Sequence, residues 1–383
     1  MDQYHLAAES SSKALAWLRG EAWPTWLRHG VDWERGGFHE SLDLRTLRST
    51  APFRRLRVAA RQVFVFAEAH AFGTPRAAEA VELGIAFLRG RARRRDGGYA
   101  RCFGLDGEVT DGSIDLYDHA FVLLALASAG RVMPQDPLRR EALDLLRFLD
   151  ARLAHPLGGY AEGLPPALPR RQNPHMHLLE ACLAAAEAFG EGIFLQRAAE
   201  MVELFLSRFR QVGSGTLAEF FDEALLPQRE NGRHLVEPGH HCEWVWLLHW
   251  YARLSTGGAT GAIQGLLDFV DRHGINPRLG TAYDGVWSDG GLQACGSRLW
   301  PQTERLKSET LRPDATAAGI ARAHAALRLY LDPAPPGLWH ERLDESGRPS
   351  GEPAPASSLY HLTAGILVSH RELVMRGDPG CDG

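Results

Sequence analysis

Most of this chain consists of Ala- and Leu-rich segments of helix length, separated by short glycine-led turns. Segments such as RVAARQVFVFAEAHAF, DHAFVLLALASAG and DATAAGIARAHAALRLYL end near Gly or Pro, which is typical of α-helices. The segment EWVWLLHWYARL is apolar on nearly every face, as expected for a helix that is buried on several sides. The pattern predicts an all-α protein.

The turns between these segments resemble one another. Each has a glycine, then an aromatic or apolar residue, then an acidic or glycine-rich stretch, as in ERGGFHESLD and PLGGYAEGL. They recur at steps of 56 to 65 residues, a period that indicates a repeat architecture. Two helices per unit predict about twelve helices, and the turns predict short hairpins because glycine adopts positive φ. The six repeat glycines are Gly37, Gly98, Gly159, Gly215, Gly280 and Gly337.

Six helical hairpins could stack as an open solenoid or close into a ring. An open solenoid needs polar terminal repeats, whereas the last helical segment, YHLTAGILVSHRELVM, is as apolar as the middle ones. We therefore predict one (α/α)6-barrel domain over residues 1–383, in which outer helices surround inner ones. Short β-hairpins and loops should gather at one end of this barrel.

Charge and cysteine content narrow the classes of function. A formal net charge of -5 gives no reason to expect nucleic acid or an anionic membrane as a partner. The first residues lack the pattern of a secretory signal, and the scattered cysteines never form a CxxC pair, which indicates a reducing compartment. We expect a cytoplasmic monomer or homodimer. The five cysteines are Cys102, Cys182, Cys242, Cys295 and Cys381.

Polar residues cluster at the predicted starts of the inner helices, where a closed barrel presents side chains to a ligand. They come from different repeat units, as convergence on one axis requires. These residues are Arg61, Gln62, Tyr117, Asn173, His175, His177, Glu180, His240, His241, Glu243, Trp300, Gln302, Glu304, Tyr360 and His361.

Two histidines have a glutamate three residues further on: His177 precedes Glu180, and His240 precedes Glu243. On a helix such pairs share a face, so each carboxylate could orient its imidazole and hold the imidazole pKa near neutrality. The neighbouring His175 and His241 point in other directions, and we expect them to be structural.

Arg61 lies in an otherwise apolar helix and needs an anion or lone pairs as its partner. A structural salt bridge to Glu304 or Glu243 is the alternative interpretation. Trp300 is either a core residue or an aromatic platform for a sugar. The HExxH motif is absent, and the HMH and HH spacings are unusual for metal ligands on a helix, so we expect no metal and no other cofactor.

Six motifs in a fixed order resemble the N-acylglucosamine 2-epimerase superfamily over nearly the whole chain, and its D-mannose isomerase branch most of all. The motifs are AARQVFVFAEA, DLYDHAFVLLALA, NPHMHLLEACLAA, EPGHHCEWVWLL, RLWPQTE and PASSLYHL. The resemblance implies an (α/α)6 barrel that acts on sugars by acid/base chemistry. Disaccharide 2-epimerases of the superfamily have a Trp shortly before the last histidine, whereas this chain has PASSLYH.

The resemblance also implies roles for individual residues. It makes His240 and His361 the general acid/base pair and adds His177, Arg61 and Glu243 to the catalytic group. The expected substrate-binding residues are Tyr117, Asn173, Trp300 and Glu304 from the resemblance, together with Glu180 and Arg233.

We expect the reaction to be the interconversion of D-mannose and D-fructose through an enediolate. The sugar ring opens, a base removes the C2 proton, and the proton returns to C1. No phosphate-binding nest is evident, which favours an unphosphorylated monosaccharide. The alternatives are a 2-epimerase of N-acyl-hexosamines or β-1,4-linked disaccharides, a glycoside hydrolase using Glu243 and Glu304, and a non-catalytic sugar-binding protein.

Overall fold

Helices dominate the computed structural model, which describes residues 5–255 and 260–377. Cys381 lies outside the described residues. In chain order the α-helices are α1 (His5–Trp17), α2 (Trp23–His29), α3 (Leu56–Ala71), α4 (Ala77–Phe87), α5 (Leu116–Ala129), α6 (Gln135–Leu153), α7 (Asn173–Phe189), α8 (Gly192–Leu204), α9 (Pro238–Leu254), α10 (Ile263–Phe269), α11 (Trp300–Leu311), α12 (Ala317–Leu331) and α13 (Ala356–Gly377).

Single π-helical turns join or extend four of the outer helices. One turn, Leu18–Ala22, makes α1 and α2 a continuous helix, and the others follow α4 (Leu88–Ala92), α8 (Phe205–Phe209) and α10 (Val270–Gly274). A short 3-10 turn, Thr260–Ala262, precedes α10. Counting α1 and α2 as one, the described residues form twelve barrel helices, which confirms the number predicted from the repeat.

Local sequence signals determine where the inner helices begin. Pro174, Pro238 and Pro301 occupy the first turn of α7, α9 and α11, where the missing N–H costs no helical hydrogen bond. Asp115 caps α5, because its carboxylate accepts a hydrogen bond from the backbone N–H of Asp118 at 3.2 Å. Gly190 ends α7 with a φ of 68°.

The inner helices close into a ring. Helix α3 packs against α5, and contacts continue through α7, α9 and α11 to α13, which returns to α3. Each inner helix also packs against the outer helix that follows it, and α13 packs against α1. The first and last helices therefore complete one unit together, and the buried indole N–H of Trp23 donates a hydrogen bond to the hydroxyl of Thr363 at 3.2 Å between them. This closure confirms the (α/α)6 barrel.

Short strands lie at the end of the ring where the inner helices begin. They are β1 (Val31–Asp32), β2 (Gly37–Phe38), β3 (Ser41–Leu42), β4 (Phe53–Arg55), β5 (Cys102–Gly104), β6 (Val109–Asp111), β7 (Ile114–Asp115), β8 (Gly163–Leu164), β9 (Arg170–Arg171), β10 (Arg210–Gln211), β11 (Thr216–Leu217), β12 (Phe220–Phe221), β13 (Leu235–Val236), β14 (Gly285–Trp287), β15 (Leu292–Ala294), β16 (Ser297–Arg298), β17 (Arg342–Leu343) and β18 (Ala354–Pro355).

These strands form eight small, separate sheets among the described residues, and their pairings link neighbouring units in a circuit around this end of the barrel. The strand before each inner helix pairs antiparallel with a strand from the next unit's turn, as in β4 with β5, β7 with β8 and β9 with β12. The same rule joins β13 with β14 and β16 with β17, and β18 closes the circuit on β3. The turns therefore fix the distance between neighbouring inner-helix starts. Among the described residues, no helix is long and apolar enough to cross a membrane.

Candidate active site

Histidines near the inner-helix starts divide into two groups by their partners. His119, His175 and His241 each accept the backbone N–H of a residue in the preceding turn, at 3.0 to 3.1 Å. Burial lowers the pKa of each of these rings to about 4, so they are neutral. The prediction that His175 and His241 are structural is confirmed.

His240 belongs to the second group, in which the ring nitrogens face side chains instead of the backbone. Its Nδ1 lies 2.8 Å from a carboxylate oxygen of Glu219 and 3.7 Å from one of Glu237. Its Nε2 lies 2.9 Å from the side-chain amide of Asn173. Burial opposes the charged ring, but the negative charges of Glu219 and Glu237 outweigh it and raise the pKa of His240 to about 9. The predicted hydrogen-bonded pairing of His240 with Glu243 is wrong, because both ring nitrogens have other partners.

His361 has the opposite electrostatic setting. Its Nδ1 lies 2.9 Å from Glu304, but the buried ammonium of Lys307 lies 2.5 Å from the other oxygen of that carboxylate and neutralises it. Burial lowers the pKa of His361 to about 4, and the positive charge of Arg61 acts in the same direction against the Glu304 carboxylate. The near-neutral pKa predicted for His240 is therefore wrong, and the pKa values of His240 and His361 are shifted in opposite directions.

One aromatic ring connects these two histidines. The ring of Trp300, which is half-buried at the start of α11, lies with its centroid 4.9 Å from His240 and 5.7 Å from His361. The two imidazoles come from α9 and α13, on either side of α11. Trp300 thus faces both titratable groups, as an aromatic platform for a sugar would, and is not simply a core residue.

His177 forms the helical pair that its spacing predicted. Its Nδ1 lies 3.0 Å from Glu180, and the other oxygen of Glu180 accepts a hydrogen bond from the hydroxyl of Tyr360. Burial lowers the pKa of His177 in spite of this carboxylate. Glu243 lies 3.8 Å from the same Nδ1. Burial, together with the nearby charge of Glu304, raises the pKa of Glu243 well above its usual value.

Arg61 places a positive charge beside these rings without a carboxylate partner among the described residues. Its guanidinium donates to the hydroxyl of Tyr117 at 2.6 Å and lies 4.1 Å from the ring centroid of Phe121. The structural alternative, a salt bridge to Glu304 or Glu243, is not what the structure contains. A buried cation is costly unless an anion or lone pairs face it, and here the lone pairs come from the Tyr117 hydroxyl and from the carbonyl oxygen of Ser357 at 3.5 Å.

Three residues predicted to contact the substrate have protein partners in this structure. Both oxygens of Glu304 face protein donors, since one faces His361 and the other lies 3.2 Å from the indole nitrogen of Trp246. Glu180 is likewise engaged by His177 and Tyr360. Arg233 lies in the loop before β13, with its guanidinium 4.5 Å from the ring of Trp287. Glu304 and Glu180 therefore support the histidines from behind, and Arg233 is outside their hydrogen-bond network.

Within the described ranges, two sets of side chains could hold a metal ion. His177, Glu180 and Glu243 bring ligand atoms within 4.8 Å of one another, and so do Glu243, Glu304 and His361. In both sets a histidine nitrogen already lies within 3.0 Å of a carboxylate oxygen. In the second set Lys307 supplies the positive charge that an ion would otherwise bring. Hydrogen bonds and the Lys307 ion pair are enough to hold these side chains close together without an ion. A metal-free mechanism stays a prediction.

A cavity of about 850 Å³ lies at the opposite end of the inner ring. The C-terminal halves of the inner helices line it, with Phe72, Trp250 and Leu367 among the apolar residues. It reaches Glu180 and Trp246, which form the far side of the histidine network. The titratable groups suited to proton transfer gather at the helix starts, so the candidate site is at that end.

Sequence reasoning missed three residues of this network: Glu219, Glu237 and Lys307. Lys307 is fully buried, which is rare for lysine and has no signal in a pattern of apolar positions. Glu219 had a weak signal, because LAEFF follows a repeat glycine as YAEGL does in the preceding unit. Comparing the acidic residues of the repeat turns would have singled it out.

The comparison with known proteins agrees with this geometry. A family model described as N-acylglucosamine 2-epimerase (GlcNAc 2-epimerase) matches residues 36–365. The chain belongs to this family. A Rhizobium meliloti (strain 1021) protein named mannose-6-phosphate isomerase is 37% identical over 384 residues, which cover 94% of this chain and 96% of that protein. A D-mannose isomerase of Thermobifida fusca is 30% identical over 211 residues, covering 50% of this chain and 51% of that protein.

Solved structures share the barrel of this epimerase-family chain. Cellobiose 2-epimerase from Spirochaeta thermophila DSM 6192 superposes with a TM-score of 0.83 at 20% identity, covering 97% of this chain and 98% of that chain. A D-mannose isomerase structure superposes with a TM-score of 0.81 at 21% identity, covering 95% and 97%. The family and its homologues are sugar isomerases and epimerases, so this chain is an enzyme.

Proposed function

We propose that this enzyme interconverts D-mannose and D-fructose by proton transfer through an enediolate. The observation that carries the proposal is the pairing of a neutral imidazole, His361, with a cationic imidazole, His240, across the ring of Trp300. A base that takes the C2 proton must be neutral, and an acid that protonates a sugar oxygen must carry a proton. These two rings meet both requirements over the same pH range.

Arg61 supplies the remaining element of this chemistry. Removing the C2 proton leaves negative charge on the sugar oxygens, and a fixed cation in a water-poor site stabilises such charge without reorganising. Because Arg61 has no carboxylate partner among the described residues, its charge is not already neutralised. We assign His361 as the base, His240 as the acid that opens the ring, and Arg61 as the oxyanion stabiliser.

The charges at the barrel mouth support an unphosphorylated substrate. Two arginines just before inner helices are paired with carboxylates: Arg55 lies 2.6 Å from Glu40, and Arg298 lies 3.0 Å from Asp284. Arg61, inside α3, has no carboxylate partner among the described residues and is assigned here to the enediolate. A sugar phosphate needs cations that are free to bind its dianion. Arg233 is itself 3.5 Å from Asp289. We therefore favour mannose, although one relative carries the name mannose-6-phosphate isomerase.

A direct comparison of substrates tests this choice. We expect kcat/KM for D-mannose to exceed that for D-mannose 6-phosphate by at least about tenfold, because the phosphate would lie among paired charges. Product sugars from both substrates should be separated and quantified at one enzyme concentration. A preference for mannose 6-phosphate would overturn the substrate assignment and leave the proton-transfer chemistry in place.

A 2-epimerase is the second candidate, because His240 and His361 come from separate helices and could serve opposite faces of one carbon. The chain has PASSLYH up to His361, whereas the disaccharide 2-epimerases of the superfamily have a tryptophan shortly before the last histidine. N-acetylmannosamine and cellobiose should therefore be tested beside mannose. Rapid turnover of either without ketose formation would favour the epimerase.

A further inference from the structure

Acidic residues recur at one position of the repeat turns and serve there as structural clamps. In three units the carboxylate accepts the backbone N–H of the residue one or two positions before the next inner helix, and it also pairs with an arginine in that strand. The distances run from 2.6 to 3.1 Å. The clamps are Glu40 with Arg55, Glu162 with Arg170 and the N–H of Arg171, and Asp284 with Arg298.

The fourth unit keeps the carboxylate and loses the arginine. Glu219 accepts the backbone N–H of Glu237 at 3.3 Å, as the other clamps do. Glu237, however, is acidic, stands just before α9 where those three units have an arginine, and accepts a hydrogen bond from Arg298 at 3.2 Å. The second oxygen of Glu219 is thereby left for a different partner, and it lies 2.8 Å from Nδ1 of His240.

The surroundings of Glu219 fix this contact. Gln172 donates a hydrogen bond to the same oxygen at 3.0 Å, and its own amide oxygen accepts from the indole N–H of Trp244 at 2.9 Å. Glu219 is fully enclosed, with 4% of its surface exposed. Its carboxylate therefore has one orientation, and that orientation places the proton of Nδ1 and turns Nε2 towards Asn173.

We propose that Glu219 is a positioning residue, a repeat clamp whose missing arginine leaves it to hold the ring and the proton of His240. Where the three clamp units have an arginine, this unit has Glu237, and one oxygen of Glu219 is therefore left to contact His240. The proposal rests on the proposed function only for the role of His240 as the acid that opens the sugar ring. The placement of the His240 proton is a property of the free enzyme, and it can be measured without substrate.

The test is an NMR titration of the His240 ring in the wild type and in Glu219→Gln, with the signal assigned by its loss in His240→Gln. The carboxylates beside His240 raise its pKa to about 9, and we expect Glu219→Gln to lower it by about one unit or more. The alkaline limb of kcat against pH should move down with it, and kcat at neutral pH should fall by roughly tenfold.

Glu162→Gln is the matched control, because Glu162 occupies the same repeat position and pairs with Arg170. It should lower the melting temperature and leave the His240 titration and the alkaline limb unchanged. If Glu219→Gln does not fold, Glu219→Asp tests the same point, since the shorter side chain draws the carboxylate away from Nδ1 of His240, which is now 2.8 Å away, and should lower the same pKa.

An unchanged His240 titration in Glu219→Gln, or in Glu219→Asp, would overturn the proposal. So would an equal shift in Glu162→Gln, which would mean that any lost clamp perturbs the site. A wild-type enzyme that fails to turn over mannose while the His240 shift is seen would reject the proposed function and support the role of Glu219.

Discussion

Replacing His361 by alanine is expected to lower kcat by about 10²- to 10⁴-fold, the range that loss of a positioned general base produces. The ring is neutral above a pH of about 4, because burial and the charge of Arg61 lower its pKa. Steady-state kinetics with mannose at neutral pH would measure the loss. Circular dichroism should show an unchanged helical content, since the ring packs at the inner wall of the site.

His370→Ala is the control for this substitution, because His370 lies on the same helix at the other end of the barrel and contacts Ser11. It should leave kcat unchanged. Activity of His361→Ala within tenfold of the wild type would remove His361 from the role of base. Equal losses in both variants would point to disturbed packing of α13.

Replacing Arg61 by methionine is expected to lower kcat by about 10²- to 10³-fold, as removal of an oxyanion-stabilising donor does. Methionine keeps much of the apolar contact with Phe121, whose ring lies 4.1 Å from the guanidinium. The loss should be in kcat more than in KM, because negative charge develops only as the enediolate forms. Initial rates over a range of mannose concentrations separate the two.

Arg61→Lys should be measured together with Arg61→Met, because lysine keeps the positive charge but lacks the planar group that reaches Tyr117. It should recover part of the lost kcat. A raised KM with unchanged kcat in Arg61→Met would mean that Arg61 only binds the sugar. In that case another group would have to stabilise the enediolate.

The sequence predicted the repeat and the barrel because both depend on local and periodic signals. The repeat glycines mark turns that need positive φ, as at Gly215 and Gly280, and the apolar inner helices need burial on several faces. The closure between α13 and α1 followed from the apolar character of the last helix. Such features are carried by many residues at once, so a single exception does not hide them.

The site was only partly predictable because its hydrogen bonds join residues far apart in sequence. The spacing rule paired His177 with Glu180 correctly, since no closer acceptor competes for that nitrogen. The same rule failed for His240, because Glu219 approaches it from a different repeat turn. Local spacing cannot rank a helical neighbour against a tertiary one.

The charge states of the site were also beyond local reasoning. Glu304 was expected to face a sugar, but the buried ammonium of Lys307 lies against it. The positive charge of Lys307 offsets the negative charge of the Glu304 carboxylate, and it therefore helps to keep His361 uncharged. Which histidine accepts a proton and which carries one follows from these buried charges, and not from the motif that contains either ring.

Turnover of D-mannose in D2O follows the proton that we propose leaves C2 of the sugar and returns to C1. Products taken early in the reaction should be analysed by NMR for the position of deuterium. We predict fructose labelled at C1, with some unlabelled fructose because a shielded imidazole returns part of the proton it removed. Deuterium at C2 of an aldose product, or fructose with no solvent label at all, would show that the enzyme does not move this proton from C2 to C1 through an enediolate.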